Sequence, residues 1–165
     1  MALPLVHLSV AYQMVCSCDY RSVPAFYLGS IAPDAIHMRP GTDRKDKREV
    51  HLSQDGPIDL DRVRQLIVEC WQTCEDSAFA EGYCIHLLTD HYWADGFVRP
   101  LETRLGDTLP RDELRTFYYE ECDKIDLELY DQQPWRDDVW KLLESAKAVD
   151  LQGFLTQQEV EMWRD

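Results

Sequence analysis

The chain has 165 residues, enough to bury a substantial core, and we expect residues 1–165 to form a single domain. Its formal net charge is −14, and a field of that sign repels phosphate backbones and anionic lipid surfaces. The charge therefore argues against nucleic-acid partners and against stable membrane association. No apolar run approaches the roughly 20 residues that span a bilayer, and the composition leaves the oligomeric state open.

Helical periodicity dominates the chain, and no segment alternates with a period of two. In chain order, helices are predicted for residues 4–16, from the cap Ser22 to Ala32–Pro33, from the cap Asp59 or Asp61 to about Cys74, and for residues 77–94, Pro110 to Gln132, Pro134–Val149 and Thr156–Trp163. Residues 37–57 are predicted as a polar, charged loop, and a loop of that length in a compact domain is often functional. The pattern predicts an all-α fold, a compact multi-helix bundle.

The first twenty residues, "MALPLVHLSVAYQMVCSCDY", lack a basic start and carry His7 within their apolar part. Neither feature is typical of an export signal, so a cytoplasmic location is expected. Reduced thiols are therefore expected for the six cysteines: Cys16, Cys18, Cys70, Cys74, Cys84 and Cys122. The pairs Cys16-x-Cys18 and Cys70-x-x-x-Cys74 are alternative metal sites, but neither has a second matching pair.

The predicted helix over residues 77–94 carries His86 and Asp90 inside the apolar stretch "EGYCIHLLTD". These two side chains are one turn apart and project from the same face. An unpaired carboxylate is very costly in an apolar environment, and a bound metal ion removes that cost. The pair is therefore a candidate set of metal ligands. The alternative is a His–Asp pair that hydrogen-bonds locally or to a neighbouring helix.

Three further candidate ligands lie in different elements. His7 lies in the first predicted helix, Asp34 follows "GSIAP", and His51 ends the charged loop. Their separate alternatives are a core histidine, a turn residue and a solvent-exposed imidazole. Imidazole nitrogen and carboxylate oxygen are ligands that zinc and similar divalent ions accept. We expect His7 to face the central helix near Gly82, where the missing side chain would allow a close approach.

The order His7, "GSIAPD" ending in Asp34, His51 and "EGYCIHLLTD" resembles the zinc-dependent phospholipase C family, which is related in fold to the S1/P1 nucleases. The resemblance covers roughly residues 5–95. It implies a helical bundle of the phospholipase C/P1 nuclease type. It also implies one ion held by Asp34, His51, His86 and Asp90, with Asp90 bridging to a second ion that His7 binds. In the family this second ion is completed by the amino group and carbonyl of an N-terminal tryptophan, which this chain does not show.

The third zinc of that family needs a further histidine with a second His-x-x-x-acid helix. No histidine follows His91, so one or two ions are expected. Zinc is the expected metal, with manganese, iron or nickel as alternatives. His37, Glu120 and Asp123 are candidate replacement ligands, and His91 is expected beside the ligands or at the rim of a pocket.

The resemblance implies a metal-dependent hydrolase, namely a phosphoesterase that acts on a small phosphate mono- or diester through a metal-activated water. Asp34 and Asp90 are the expected catalytic residues. Lys45, Lys47 and Arg48 are candidates to meet the phosphate, with a solvated charged loop as the alternative. Two other functions stay open: a metal-binding protein of the same fold without catalysis, and a nuclease-like phosphodiesterase.

Overall fold

The computed structural model describes residues 2–17, 23–53, 59–73, 77–151 and 153–165, and only the backbone of residues 67 and 70–73. Its helices are α1 (Pro4–Ser17), α2 (Val23–Ile31), a 3₁₀ helix (Ala32–Met38), α3 (Arg44–Val50), α4 (Leu60–Thr73), α5 (Ser77–Trp93), a π-helical turn (Ala94–Val98), α6 (Arg99–Leu105), α7 (Arg111–Gln132), α8 (Arg136–Ser145) and α9 (Gln157–Arg164). Within those ranges there is no strand beyond an isolated bridge between Leu151 and Leu155. The all-α prediction is confirmed.

The crossing of α2 and α5 forms the centre of the molecule. Nearly all of α2 is buried, and the two helices form the most extensive helix pair in the described structure. A methyl group on Gly82 would overlap the carbonyl oxygen of Phe26, and one on Gly29 would overlap that of Phe79. The two glycines therefore let the two backbones touch. Gly82 makes room for α2, so the prediction that its space serves His7 is wrong.

The helix α3 lies inside the segment predicted as a loop. Asp43 caps it, because the Asp43 carboxylate accepts hydrogen bonds from the backbone amides of Lys45 and Asp46. The Asp46 carboxylate in turn accepts a hydrogen bond from the backbone amide of Asp43. This reciprocal cap starts a helix in a sequence that has no apolar stripe. The predicted loop over residues 37–57 is therefore helical in its middle, and residues 54–58 lie outside the described residues.

Other helix limits follow the sequence closely. The helix α7 covers Arg111–Gln132, and α9 begins after the cap Thr156, which shares a reciprocal cap with Glu159. The helix predicted to reach Val149 ends at Ser145, and α6 is additional to the predicted elements. Ser22, Cys18 and Cys74 lie outside the described residues, as does the side chain of Cys70. Cys16 and Cys122 are free thiols, and Cys84 is buried.

The C-terminal helix α9 packs against the 3₁₀ helix. Arg39, just after the 3₁₀ helix, donates through Nε to Glu159 Oε1 at 2.6 Å and through a guanidinium NH2 group to the carbonyl of Phe154 at 2.8 Å. Charge-assisted bonds of this kind hold two chain segments at a fixed distance. The end of the chain thus supports the element that carries Asp34. No described helix is both long and apolar enough to cross a membrane.

Candidate metal centre

Four elements bring the predicted ligands together. His7 comes from the first turn of α1, Asp34 from the 3₁₀ helix, His51 from the residue that ends α3, and His86 and Asp90 from α5. All five side chains are buried, and their exposed fractions range from 0% for His7 and His86 to 7% for Asp90. We call these five residues the His/Asp cluster.

Asp90 lies between the three histidines of the cluster. Its Oδ1 is 3.6 Å from Nε2 of His7. Its Oδ2 is 3.7 Å from Nε2 of His86 and 3.9 Å from Nε2 of His51. Asp34 completes the group, because its Oδ1 is 3.4 Å from Nε2 of His51. Each carboxylate therefore faces ring nitrogens at distances longer than a good hydrogen bond.

Hydrogen bonds on the far side of two rings fix the direction of the nitrogens that face the cluster. Nδ1 of His86 donates to the carbonyl of Ser30 at 2.9 Å, and Nδ1 of His51 donates to the carbonyl of Lys47 at 2.9 Å. A ring that donates through Nδ1 carries its lone pair on Nε2 when it is neutral. Both lone pairs therefore point into the cluster, in the arrangement that metal-binding histidines adopt.

His7 lies flat against His86, with ring centroids 3.7 Å apart and planes inclined by 7°. Neither nitrogen of His7 has a hydrogen-bond partner within the described residues. Its Nε2 nevertheless faces Asp90 at 3.6 Å. His7 thus belongs to the cluster, although the glycine expected to accommodate it serves α2.

Burial and mutual charge set the protonation of the cluster. Burial lowers the pKa of His7 well below its usual value and also lowers the pKa of His86. Burial alone would lower the pKa of His51, but the neighbouring carboxylates, first of all Asp34, raise it above the ordinary value. Burial alone would raise the pKa of Asp34, yet its contact with His51 and the charges of His86 and His7 hold that pKa below its usual range.

The donor atoms fit a divalent metal. Ligand atoms of His7, Asp34 and His86 lie within 4.8 Å of one another, and so do those of His51, His86 and Asp90. A neutral imidazole and an ionised carboxylate are the protonation states that ligate metal. The structure therefore offers two overlapping groups of three ligands that share His86.

The additional candidate ligands do not join the cluster. His37 is exposed, and its Nδ1 is 3.1 Å from Nζ of Lys47, while its ring stacks on Trp163. Glu120 and Asp123 are exposed on α7. His91 is partly buried and lines the cavity described next. Helical position explains the outcome for His91, because one residue along α5 from Asp90 turns a side chain by about 100°.

A cavity of about 1060 Å³ opens onto the cluster through His51 and Asp90. Lys47 and Arg48 from α3 line it, whereas Lys45 does not. Two of the three basic residues noted in the charged segment thus lie where a ligand of the cluster would enter.

Two contacts of the site could not be found from sequence patterns. The backbone amide of Ala2 donates to Asp90 Oδ1 at 2.8 Å across 88 positions of the chain. Asp126 on α7 accepts a hydrogen bond from the amide of Leu5 at 3.4 Å, so α7 caps the start of the helix that carries His7. Neither contact has a local sequence signal, since one uses the backbone and the other an ordinary helical aspartate.

Comparisons of this chain with known protein families, with curated proteins and with solved structures give no match. The resemblance to the zinc-dependent phospholipase C family therefore stays a prediction from the residues quoted above. The described residues form an all-α protein with a buried His/Asp cluster whose donor atoms fit a metal ion.

Proposed function

We propose that the protein is a metal-dependent phosphoesterase whose His/Asp cluster holds one or two divalent ions. One observation carries the proposal. In the described part of the chain, seven buried side-chain nitrogen and oxygen atoms lack a hydrogen-bond partner, and five of them belong to His7, Asp34, His51 and His86. Such an atom costs about 1–3 kcal/mol when it is left unsatisfied. This free-energy cost is concentrated in the His/Asp cluster, and a metal ion bound by these atoms would remove it.

Charge supports the same proposal. The cluster contains two carboxylates, and His51 is the imidazole whose pKa is raised toward the charged form. Burial lowers the pKa of the other two imidazoles and favours their neutral form. Two carboxylates against at most one imidazolium leave uncompensated negative charge in the core. A divalent cation would neutralise that charge and take the place of the His51 proton, because histidine ligates metal only in its neutral form.

The resemblance to the zinc-dependent phospholipase C family suggests the role of each residue. Asp34, His51, His86 and Asp90 would hold the first ion, and Asp90 and His7 would contribute to the second. A divalent ion in such a site lowers the pKa of a water molecule and polarises a phosphoryl oxygen. Asp34 would also accept the proton of the attacking water. Lys47 and Arg48 would attract the anionic group into the cavity.

We propose zinc as the metal because the donors are imidazole nitrogen and carboxylate oxygen. Manganese, iron and nickel accept the same donors and are the alternatives. We further propose the phospholipase C/P1 nuclease type as the fold and a small, soluble phosphate ester as the substrate. Basic residues normally supply the electrostatic attraction to anionic lipid. A chain of net charge −14 gains little attraction of this kind.

The test is hydrolysis of p-nitrophenyl phosphate and of bis(p-nitrophenyl) phosphate by protein loaded with zinc or manganese. Phosphatidylcholine vesicles are assayed in parallel. We expect turnover of at least one soluble ester, little cleavage of the vesicles, and a loss of about 100-fold or more in Asp90→Asn. Robust lipid cleavage that requires Asp90 would replace the soluble substrate with a lipid.

A metal-bound protein that hydrolyses none of these esters would instead support the alternative function of metal binding without catalysis. The absence of any histidine after His91 favours this second candidate, because the third ligand set of the family is incomplete. Titration with zinc, monitored by calorimetry, distinguishes a metal-binding protein without catalysis from a protein that binds no metal.

A further inference from the structure

A stripe of side chains along α7 faces the same cavity as the His/Asp cluster. Arg111, Arg115 and Tyr119 follow one another at intervals of four residues, and all three line the cavity. Side chains at that spacing share one helix face. The guanidinium carbon of Arg115 lies 5.8 Å from the centroid of the Tyr119 ring, within the range of a cation–π contact. The ring thus helps to orient one of the two guanidinium groups.

The charge of the cavity lining differs in sign from that of the molecule. Six of the 17 basic residues line the cavity: Arg44, Lys47, Arg48, Arg99, Arg111 and Arg115. Apart from Asp90, four carboxylates line it: Asp43, Asp95, Glu102 and Asp112. Asp43 is engaged in capping α3, and Asp95 forms an ion pair with Arg99 at 3.0 Å. In a protein of net charge −14, basic side chains are therefore concentrated at the entrance to the candidate metal site.

Apart from Arg99, which is paired with Asp95, the cations come from two separate parts of the fold. Those of α3 adjoin the cluster, since His51 is bonded to the carbonyl of Lys47, and α3 packs on the 3₁₀ helix. Those of the stripe belong to α7, which packs on α1. Among the described residues, neither Arg111 nor Arg115 forms an ion pair, although Asp112 adjoins them in the lining. Their guanidinium groups are available for a ligand in the cavity.

We propose that Arg111 and Arg115 bind a second anionic group of the substrate, so that the preferred substrate is a soluble organic bisphosphate. This inference rests on the proposed function for the first phosphate, which meets the His/Asp cluster. The second phosphate accepts hydrogen bonds from the two guanidinium groups, whose planar donors match phosphate oxygens. It is not cleaved, and its role is to position the substrate.

The experiment compares α,ω-alkanediol bisphosphates of three to six carbons with the corresponding alkanol monophosphates, using zinc-loaded protein. We expect kcat/KM for the best bisphosphate to exceed that for its monophosphate at least 10-fold. The double variant Arg111→Ala/Arg115→Ala is expected to lose that preference, because its kcat/KM should fall at least 10-fold more on the bisphosphate than on the monophosphate. Arg104→Ala is the matched control, because Arg104 is exposed on α6 and does not line the cavity.

A second measurement does not depend on turnover. The Kd of the best bisphosphate for the Asp90→Asn protein is measured by calorimetry, with and without the two arginine substitutions. We expect at least a 10-fold weakening in the arginine variant and none in the Arg104→Ala background. Equal Kd values overturn the proposal, as do equal kcat/KM values for bis- and monophosphates. If no ester is hydrolysed, the proposed function fails, and the calorimetry alone decides whether the stripe binds phosphate.

Discussion

The helices α5 and α7 have similar lengths but opposite relations to solvent. Ten of the 17 residues of α5 are buried, whereas in the 22 residues of α7 only Cys122 is. Both helices carry acidic residues, yet Asp90 of α5 lies in the core and Glu120 and Asp123 of α7 lie in water. A carboxylate in water costs nothing, while one in the core needs a compensating partner. Burial, rather than residue type, therefore marks the acid of the candidate metal centre.

The strongest contrast between substitutions on α5 and on α7 is expected in the metal content of the purified variants. His86→Ala should abolish retention of zinc by purified protein, because His86 belongs to both groups of three ligands. Single-ligand losses of this kind reduce affinity by orders of magnitude, and about 100-fold is enough to lose the ion on dialysis. The double variant Glu120→Gln/Asp123→Asn on α7 is the control. Elemental analysis after dialysis measures both, and full zinc in His86→Ala would contradict the assignment.

The next contrast concerns stability. Gly82→Ala introduces a methyl group that overlaps the carbonyl oxygen of Phe26, and backbone atoms cannot move aside as a flexible side chain can. We expect a loss of about 3 kcal/mol in the free energy of unfolding, against the gain of about 1 kcal/mol that alanine normally brings to a helix. Gly96→Ala is the control, because nothing lies within 4 Å of its added carbon. Urea unfolding compares them, and equal midpoints would show that the crossing tolerates a wider spacing.

The smallest effect on stability is expected for a substitution on the surface of α7. Lys124 forms an ion pair with Glu121 one turn away, and the Lys124 side chain is 69% exposed. Water and salt screen such a pair, and the ordering of two long side chains offsets the attraction. Lys124→Ala should leave the thermal midpoint unchanged within error. A clear drop in that midpoint would mean that the charges of α7 contribute to stability and that the contrast with α5 is too simple.

The sequence sufficed where the relevant contacts are local. The four-residue spacing of His86 and Asp90 places both on one face of any helix, and the apolar neighbours predict that this face is buried. Helix α7 was likewise predictable, since Pro110 precedes a long run without a helix breaker. The helix α3 was not predicted, because "RKDKREV" has no apolar periodicity and the helix starts through a cap formed by Asp43 and Asp46.

Contacts between distant segments were beyond such patterns. The stacking of His7 on His86 depends on how α1 lies across α5, and the bond from the amide of Ala2 to Asp90 depends on where the chain enters the fold. The resemblance to a known family anticipated that His7 belongs with the others, whereas the separate expectation drawn from the helical glycine placed the contact beside Gly82. Only three-dimensional packing distinguishes a glycine that accommodates a side chain from one that accommodates a backbone.

The backbone contact between α2 and α5 has a consequence for how the protein would acquire its ion. Gly29 and Gly82 lock the helix that leads into Asp34 against the helix that carries His86 and Asp90, and both contacts involve polypeptide alone. We therefore expect the scaffold to form without an ion, unlike that of small zinc-nucleated domains, which collapse only around their metal. Chelation should empty the centre and leave the fold intact, and the slowest-exchanging amides should lie in these two helices whether or not the ion is present.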